Sequence, residues 1–227
     1  MKTKTKVGLI LSLSLVVVGA GLAAVSLSSM GWSMENLFSD NRQLRVVGVD
    51  EPYSSVVVVT AVDGVKLDYS ADNKESTVEV YYSDEYDYDI HVSEGTLYVT
   101  VKDDNRNISI DRAIRNGFSA HEVVLHLTGG EYSIVNLKTG LGNIDMEGDP
   151  FISKLYVETG IGDVDISKEA KIKDLDIKTG IGSVNVPASD NNMYIKTGIG
   201  NVHTPDLSGK KQGTVKIETG VGSTSTR

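Results

Sequence analysis

A five-fold repeat of the motif Thr-Gly-x-Gly constrains the fold of this chain more than any other feature of its sequence. Successive motifs are 20, 20, 18 and 22 residues apart, and their threonines are Thr139, Thr159, Thr179, Thr197 and Thr219. Self-similarity at such a period is typical of a solenoid, in which each repeat forms one rung of a stack. We therefore predict an all-β fold in which residues 129–227 form a short β-solenoid of about five rungs.

The residues around the motif align in columns that alternate between apolar and polar. The apolar columns before the motif glycines are Val135, Leu155, Leu175, Met193, Val215 and Leu137, Val157, Ile177, Ile195, Ile217. A third apolar column lies within the motif: Leu141, Ile161, Ile181, Ile199, Val221. Alternation with period two predicts two short strands in each rung. We expect stacking to make every apolar column continuous and so to build the core.

The motif glycines are predicted to serve a sharp turn between the two strands, where at least one glycine of each pair needs a positive φ. These turn glycines are Gly140, Gly142, Gly160, Gly162, Gly180, Gly182, Gly198, Gly200, Gly220 and Gly222. The parity of the threonine column predicts that it points inward, with hydroxyls bonded along the stack. The last copy has Thr224 where the others have Ile or Val, which leaves two interpretations, a weakly capped end or an open end that binds a partner.

Residues 45–128 also have the pattern of strands, without a linker before the repeats. Runs rich in β-branched and aromatic residues, separated by turn signals, are 55–62, 64–69, 76–82, 95–102 and 121–127. We expect a sandwich-like or irregular β region that runs directly into the solenoid. The segment 81–89, with four acids and four tyrosines, is expected to form an exposed acidic hairpin.

The N-terminus has the pattern of a membrane anchor. Val7–Leu27 contains no charged residue, and as a helix it would span about 31 Å, close to the thickness of a bilayer core. Lys2, Lys4 and Lys6 precede it, and the positive-inside rule then places the rest of the chain outside the cytoplasm. We predict a cytoplasmic tip and transmembrane signal anchor over residues 1–32 and a juxtamembrane linker over 33–44; a cleaved signal peptide is the alternative.

Composition excludes several classes of function. The chain beyond the apolar segment has 19 basic and 31 acidic residues, a net charge of −12, which disfavours nucleic acid as a partner. Cysteine is absent, so disulfides and thiolate sites are excluded. The four histidines are scattered, and no phosphate loop or hydrolase motif occurs. We therefore predict no enzymatic activity, no cofactor and no metal site.

One pair of side chains is a candidate contact for sugars. Tyr156 and Tyr194 share an outward column two rungs apart, which places their rings about 10 Å from each other. Exposed aromatic rings at this spacing can stack on a glycan, although outward tyrosines on strands more often cover their neighbours.

A family resemblance lies in the segment HEVVLHLTGGEYSIVNLKTGLGNIDMEG. This segment is followed by copies of TGIG, each with a short polar residue and then Val. It resembles the bacterial β-strand-repeat family labelled "putative adhesin", a domain of unknown function that includes LiaG-like envelope proteins. The likeness covers residues 45–227 and is most specific over 130–225. The resemblance implies a β-solenoid-like fold, a location in the cell envelope and a link to envelope-stress systems, and it supplies no catalytic residues.

Three functions follow as hypotheses. The first is a membrane-anchored, extracytoplasmic, non-enzymatic protein that interacts with another envelope protein. The second is an adhesin that binds a cell-wall or surface glycan through Tyr156 and Tyr194. The third is a scaffold that assembles end to end through its rungs, which the net charge of −12 disfavours.

Overall fold

The computed structural model describes residues 43–70, 72–82, 86–103, 121–205 and 213–226. The predicted anchor Val7–Leu27, Trp32, most of the predicted linker 33–44 and the segment 104–120 lie outside these residues. In the described part no helix is long and apolar enough to cross a bilayer. Residues Arg42–Arg227 form one compact unit.

In its described residues this unit consists of β-strands and the turns that join them. The strands are β1 (Gln43–Val49), β2 (Ser55–Thr60), β3 (Gly64–Ser70), β4 (Ser76–Tyr82), β5 (Tyr86–Ser93), β6 (Thr96–Asp103), β7 (His121–Thr128), β8 (Glu131–Leu141), β9 (Ile144–Glu147), β10 (Phe151–Ile161), β11 (Val164–Ile166), β12 (Lys171–Ile181), β13 (Val184–Asn185), β14 (Ser189–Ile199), β15 (Val202–Thr204), β16 (Val215–Val221) and β17 (Thr224–Thr226). They form a nine-stranded sheet, β1-β4-β7-β3-β9-β11-β13-β15-β17, and an eight-stranded sheet, β16-β14-β12-β10-β8-β2-β6-β5.

The predicted repeats form a parallel stack in the predicted register. Leu155 pairs with Val135 on one side and Leu175 on the other, and Met193 pairs with Val215. Each rung has a long strand in the eight-stranded sheet and a short strand in the nine-stranded sheet. The long strand of most rungs has 11 residues, because it continues through the first motif glycine and turns only at the second. The inward side chains of both sheets pack into one hydrophobic core.

The stack contains two more rungs than the five that the motif predicts. β2 pairs in parallel with β8, and β3 pairs in parallel with β9, so β2 and β3 together form a rung. β6 and β7 form another, because they pair in parallel with β2 and β3. The region before the repeats therefore supplies strands to the same two sheets. The motif does not reveal these rungs because neither carries Gly-x-Gly, and because β2–β3 lies between two rungs that follow it in the chain.

Antiparallel strands cover the N-terminal end of the stack. β4 pairs with both β1 and β7, and β5 pairs with β6 through a two-residue turn at Glu94-Gly95, where both φ angles are positive. The predicted acidic hairpin over 81–89 is wrong, because β4 and β5 belong to different sheets. Residues 83–85, between these strands, lie outside the described part.

Backbone stacking requires both motif glycines, and the turn additionally requires the second. Gly162 has a φ of 158° and so meets the prediction of a positive φ at one glycine of each pair. Gly180 has no such angle, but a Cβ there would lie 2.5 Å from the carbonyl oxygen of Gly160 in the preceding rung. A Cβ at Gly162 would also collide with the carbonyl oxygen of Gly142, so both glycines allow close stacking of backbones and the second provides the turn as well.

The threonine column points inward, as its parity predicts. Thr139, Thr159, Thr179 and Thr197 are buried, and Thr219 in the last rung is partly buried. The column's hydroxyls donate hydrogen bonds to corner carbonyls of the preceding rung, from Thr159 to Gly142 (3.2 Å) and from Thr197 to Gly182 (3.0 Å). A buried carbonyl without a partner would destabilise the corner, so each threonine satisfies the turn of the rung before it.

Candidate functional site

The most distinctive surface of the stack is a line of aliphatic side chains along the corner between the two sheets. We call it the corner ridge, and it consists of Leu141, Ile161, Ile181, Ile199 and Val221. The exposed fraction is 39% at Ile161, 47% at Ile181, 52% at Ile199 and 67% at Val221. The expectation that this column joins the core is therefore wrong. Alternation ends where the strand turns, so the residue between the two glycines points outward.

Glycine columns border the corner ridge on both sides. On one side are the first motif glycines, such as Gly160 and Gly180, which are exposed and carry no side chain. On the other side are the second motif glycines, such as Gly162 and Gly182. The aliphatic side chains therefore stand above their surroundings at intervals of about 4.8 Å, the spacing between neighbouring strands.

A ladder of side-chain hydrogen bonds fixes the backbone beside the corner ridge. The backbone N–H of Asp163 donates to Oδ1 of Asn143 (2.9 Å), and that of Ser183 donates to Oδ1 of Asp163 (2.7 Å). The backbone N–H of Ser223 donates to Oδ1 of Asn201 (3.0 Å). These corner residues bond to the backbone of the next rung and not to their own turn. These hydrogen bonds therefore join each rung to the next along the whole corner ridge.

The candidate glycan contacts lie on the outer face of the eight-stranded sheet. Tyr156 and Tyr194 both pair with Asp176, so one strand separates them, as the repeat predicts. Tyr156 is 40% exposed, whereas Tyr194 is partly buried. Hence the two rings differ in how much of their surface a ligand can reach.

Cationic side chains occupy the surroundings of Tyr194. Nζ of Lys178 lies 5.8 Å from the ring centroid and Nζ of Lys216 lies 5.5 Å from it. The Tyr194 hydroxyl donates to Glu218 (3.4 Å), which also pairs with Lys216 (2.7 Å). A sugar that stacks on Tyr194 would have to displace these cations, so Tyr156 is the more accessible half of the pair.

A column of carboxylates lies on the outer face of the nine-stranded sheet. Asp145 and Asp165 are directly paired on β9 and β11. Desolvation, and then repulsion by Asp145, raise the pKa of Asp165 above its ordinary value. Among the described residues no cluster of three or more His, Asp or Glu side chains could hold a metal ion.

Two described histidines interact with carboxylates. Nδ1 of His126 lies 2.9 Å from Asp68, and Nδ1 of His91 lies 2.9 Å from Asp89. His126 also approaches Glu79, through its other ring nitrogen, at 3.4 Å. These contacts hold the imidazoles on the sheet surface and assemble no nucleophile with a base.

One concavity was not predicted from the sequence. A cavity of about 330 Å³ lies where the chain returns to the eight-stranded sheet, between the turns at Gly129-Gly130 and Asp149-Pro150. Tyr69 lines it, and its buried hydroxyl has no hydrogen-bond partner among the described residues. Burial raises the pKa of the Tyr69 hydroxyl well above its ordinary value, which keeps it neutral. The unpaired Tyr69 hydroxyl is the feature that marks this cavity as a candidate site. The amino-acid sequence does not show which hydroxyls lack a hydrogen-bond partner, so the site had no sequence signal.

The geometry defines an all-β protein of stacked rungs with a regular surface, and the family model agrees. The model described as Toastrack DUF4097 matches residues 54–222. The chain therefore belongs to the Toastrack DUF4097 family, as the sequence resemblance indicated. The matched range includes β2, β3, β6 and β7, so the family's domain contains both rungs that lack the motif.

Two solved structures that the chain matches are the following. A protein of Clostridium sporogenes described as a "putative cell adhesion protein" is 19% identical, with a TM-score of 0.52, over 81% of this chain and 98% of that chain. A "putative adhesin" of Bacteroides fragilis is 14% identical, with a TM-score of 0.40, over 82% of this chain and 97% of that chain. The first likeness supports the fold. No curated protein matches the chain.

Proposed function

We propose that this chain is a membrane-anchored, extracytoplasmic protein of the bacterial envelope that binds another protein through the corner ridge. The proposal includes no catalysis. The observation that carries it is the exposure of successive aliphatic side chains on a corner whose rungs are joined by hydrogen bonds. A continuous apolar surface of this kind is typical of an interaction site.

The energetics favour such a contact. Full burial of an aliphatic side chain contributes about 1.5–3 kcal/mol, and the ridge residues are roughly half exposed, so each contributes about 1 kcal/mol when covered. Because the stack already holds the ridge in place, little conformational entropy is lost on binding. Covering the five ridge residues would therefore contribute about 5 kcal/mol toward association.

The proposed location follows from the sequence before residue 43. The uncharged segment Val7–Leu27, with Lys2, Lys4 and Lys6 before it, would anchor the chain and direct the stack out of the cytoplasm. An anchored stack would meet partners in the membrane or near its outer surface. A sensor of envelope stress is one such partner.

The test compares two triple variants of the tagged full-length chain in cells. The ridge variant carries Ile161→Thr, Ile181→Thr and Ile199→Thr, which keep β-branched side chains but remove apolar surface. The control variant carries Glu158→Thr, Lys178→Thr and Lys196→Thr, on the outer face of the same three strands. Partners are captured by chemical cross-linking and identified by mass spectrometry. We expect the ridge variant to lose a partner that the control retains; equal capture by both variants would contradict the proposal.

The glycan-binding adhesin is the second candidate, and the exposure of Tyr156 is the observation that favours it. Sedimentation of the chain with purified cell walls distinguishes the two functions. If Tyr156→Ala with Tyr194→Ala abolishes sedimentation while the ridge variant does not, the adhesin is the better account. Because Tyr194 is flanked by two lysines, we expect no such loss.

A further inference from the structure

In the described part of the chain, the rung β16–β17 has one open edge in each sheet. β16 pairs with β14 on one side, and no strand in the described part of the chain pairs with its other side. Val215 is exposed and Ile217 is only partly buried, whereas Met193 and Ile195, which precede them in the same columns, are fully buried. This edge therefore lacks the neighbour that every interior long strand has.

The backbone hydrogen-bonding groups of β16 point alternately toward β14 and toward the open edge. The backbone N–H of Met193 in β14 donates to the carbonyl of Thr214 (2.9 Å), so residues 214, 216 and 218 direct their backbone groups toward β14. Alternate residues of a strand face opposite sides. Val215, Ile217 and Thr219 consequently direct their N–H and C=O groups to the open edge.

The outward side chains of β16 have charges that complement those of a second, antiparallel copy of the same strand. Lys216 and Glu218 lie on either side of Ile217 in the sequence. Both side chains are on the outer face of the sheet, and their charged groups lie 2.7 Å apart. In an antiparallel pair of two β16 strands centred on Ile217, each Lys216 lies opposite Glu218 of the second copy. A pair centred on residue 216 or 218 would instead oppose like charges, and the backbone groups there already face β14.

We propose that two copies of this chain associate through β16, antiparallel, about a two-fold axis at Ile217. Val215, Ile217 and Thr219 then form about six backbone hydrogen bonds with the second copy. The inward side chains of the two edge strands cover each other as a further rung would. The interface is closed, because each copy uses its single β16 edge, and this distinguishes it from an end-to-end filament.

This dimer is independent of the proposed function of the corner ridge. The paired residues are 215–219, and the interior ridge residues lie on β10, β12 and β14. Failure of the dimer would leave the ridge proposal unchanged, and the reverse also holds.

The first test uses the absence of cysteine from the chain. Lys216→Cys with Glu218→Cys places each thiol opposite a thiol of the second copy, at a Cα separation of about 4.5 Å, which a disulfide can bridge. The matched control, Tyr156→Cys with Glu158→Cys, uses the same two columns on β10. Mild oxidation of the detergent-purified full chain should convert the first variant to a covalent dimer. Cross-linking no greater than in the control would overturn the proposal.

The second test uses charge reversal and measures mass by sedimentation equilibrium. Lys216→Glu places like charges opposite each other, so we expect dimerisation to weaken at least ten-fold. Adding Glu218→Lys restores opposite pairs and should restore the dimer. The proposal fails if the unmodified chain is monomeric, if the single reversal has no effect, or if the double reversal does not rescue. Growth beyond the dimer would also overturn it. A circular dichroism spectrum of each variant checks that the β-structure is retained.

Discussion

The rungs that carry the motif and the rung β2–β3, which lacks it, occupy equivalent positions in one core. Val58 of β2 and Val157 of β10 both pair with Leu137, and all three are buried. Their corners differ, because Ala61 takes the place of the first motif glycine. A rung can therefore form without the motif. The motif is needed where one corner stacks closely on the corner before it.

The reason lies in the direction of stacking. Each first motif glycine lies against the backbone carbonyl of the corner before it, as Gly180 does against Gly160. Ala61 directly follows β2, the strand that stacks on β6, and no Gly-x-Gly occurs in the sequence between the end of β6 at Asp103 and the start of β7 at His121. Ala61 is exposed and keeps its Cβ, while its own carbonyl forces glycine at position 140.

The largest effect on stability is expected from a substitution at the corner, where the two kinds of rung differ. Gly180→Val should lower the free energy of unfolding by about 3 kcal/mol, because the new side chain collides with a backbone carbonyl that cannot move aside. Ala61→Val, at the equivalent corner after β2, should change it by less than about 0.5 kcal/mol. Urea unfolding of both variants measures the difference. Similar losses in both would contradict the stacking argument.

The next prediction concerns what the two kinds of rung share. Val58→Ala and Val157→Ala should each cost about 2–3 kcal/mol, since both remove two methyl groups from the same packed column. Equal losses are expected only if β2 belongs to the stack. A cost at Val58 well below that at Val157, by the same unfolding measurement, would indicate that the N-terminal region packs separately.

A smaller effect is expected from the corner hydroxyls. Thr197→Val should cost about 1 kcal/mol, because it leaves the partly buried carbonyl of Gly182 without its hydroxyl donor. Thr204 is equally buried, but its hydroxyl has no hydrogen-bond partner among the described residues. Thr204→Val should therefore be neutral or stabilising. Thermal unfolding of the two variants separates a bonded hydroxyl from an unbonded one of the same residue type.

The smallest effect is electrostatic and depends on pH. Asp165 has a raised pKa, so its charged form is less favourable in the folded state than in the unfolded one. Asp165→Asn should stabilise the protein at pH 7 by a few tenths of a kcal/mol, a small value because the side chain is largely exposed. The gain should fall as the pH drops through the raised pKa. It should vanish well below pH 3.8, the ordinary value, where both states are protonated.

Sequence reasoning predicted the register of the repeats but not the order of the stack. The columns of Val135 and Leu137 were visible because pairing follows the repeat step, and the structure confirms them. The rung β2–β3 was hidden, since it is inserted between β6–β7 and β8–β9, and such pairing between distant segments leaves no local pattern. Alternation also misassigned the corner ridge, because parity ends where the chain turns.

The candidate sites divide in the same way. Tyr156 and Tyr194 lie where the repeat placed them, two strands apart. The lysines beside Tyr194 could not be located, because the direction of a long flexible side chain is not specified by strand parity. The cavity beside Tyr69 depends on two turns from distant parts of the chain, and so it had no sequence signal.

Hydrogen exchange of backbone amides, followed by mass spectrometry of peptides, tests the central claim most directly. If the rung β2–β3 is part of one continuous stack, its amides should be as strongly protected as those of β8 and β10, and all should exchange in the same cooperative step under mild denaturant. If the amides of β2 and β3 exchange early while β8 and β10 remain protected, then the rung without the motif is not integrated in the stack, and the account is contradicted.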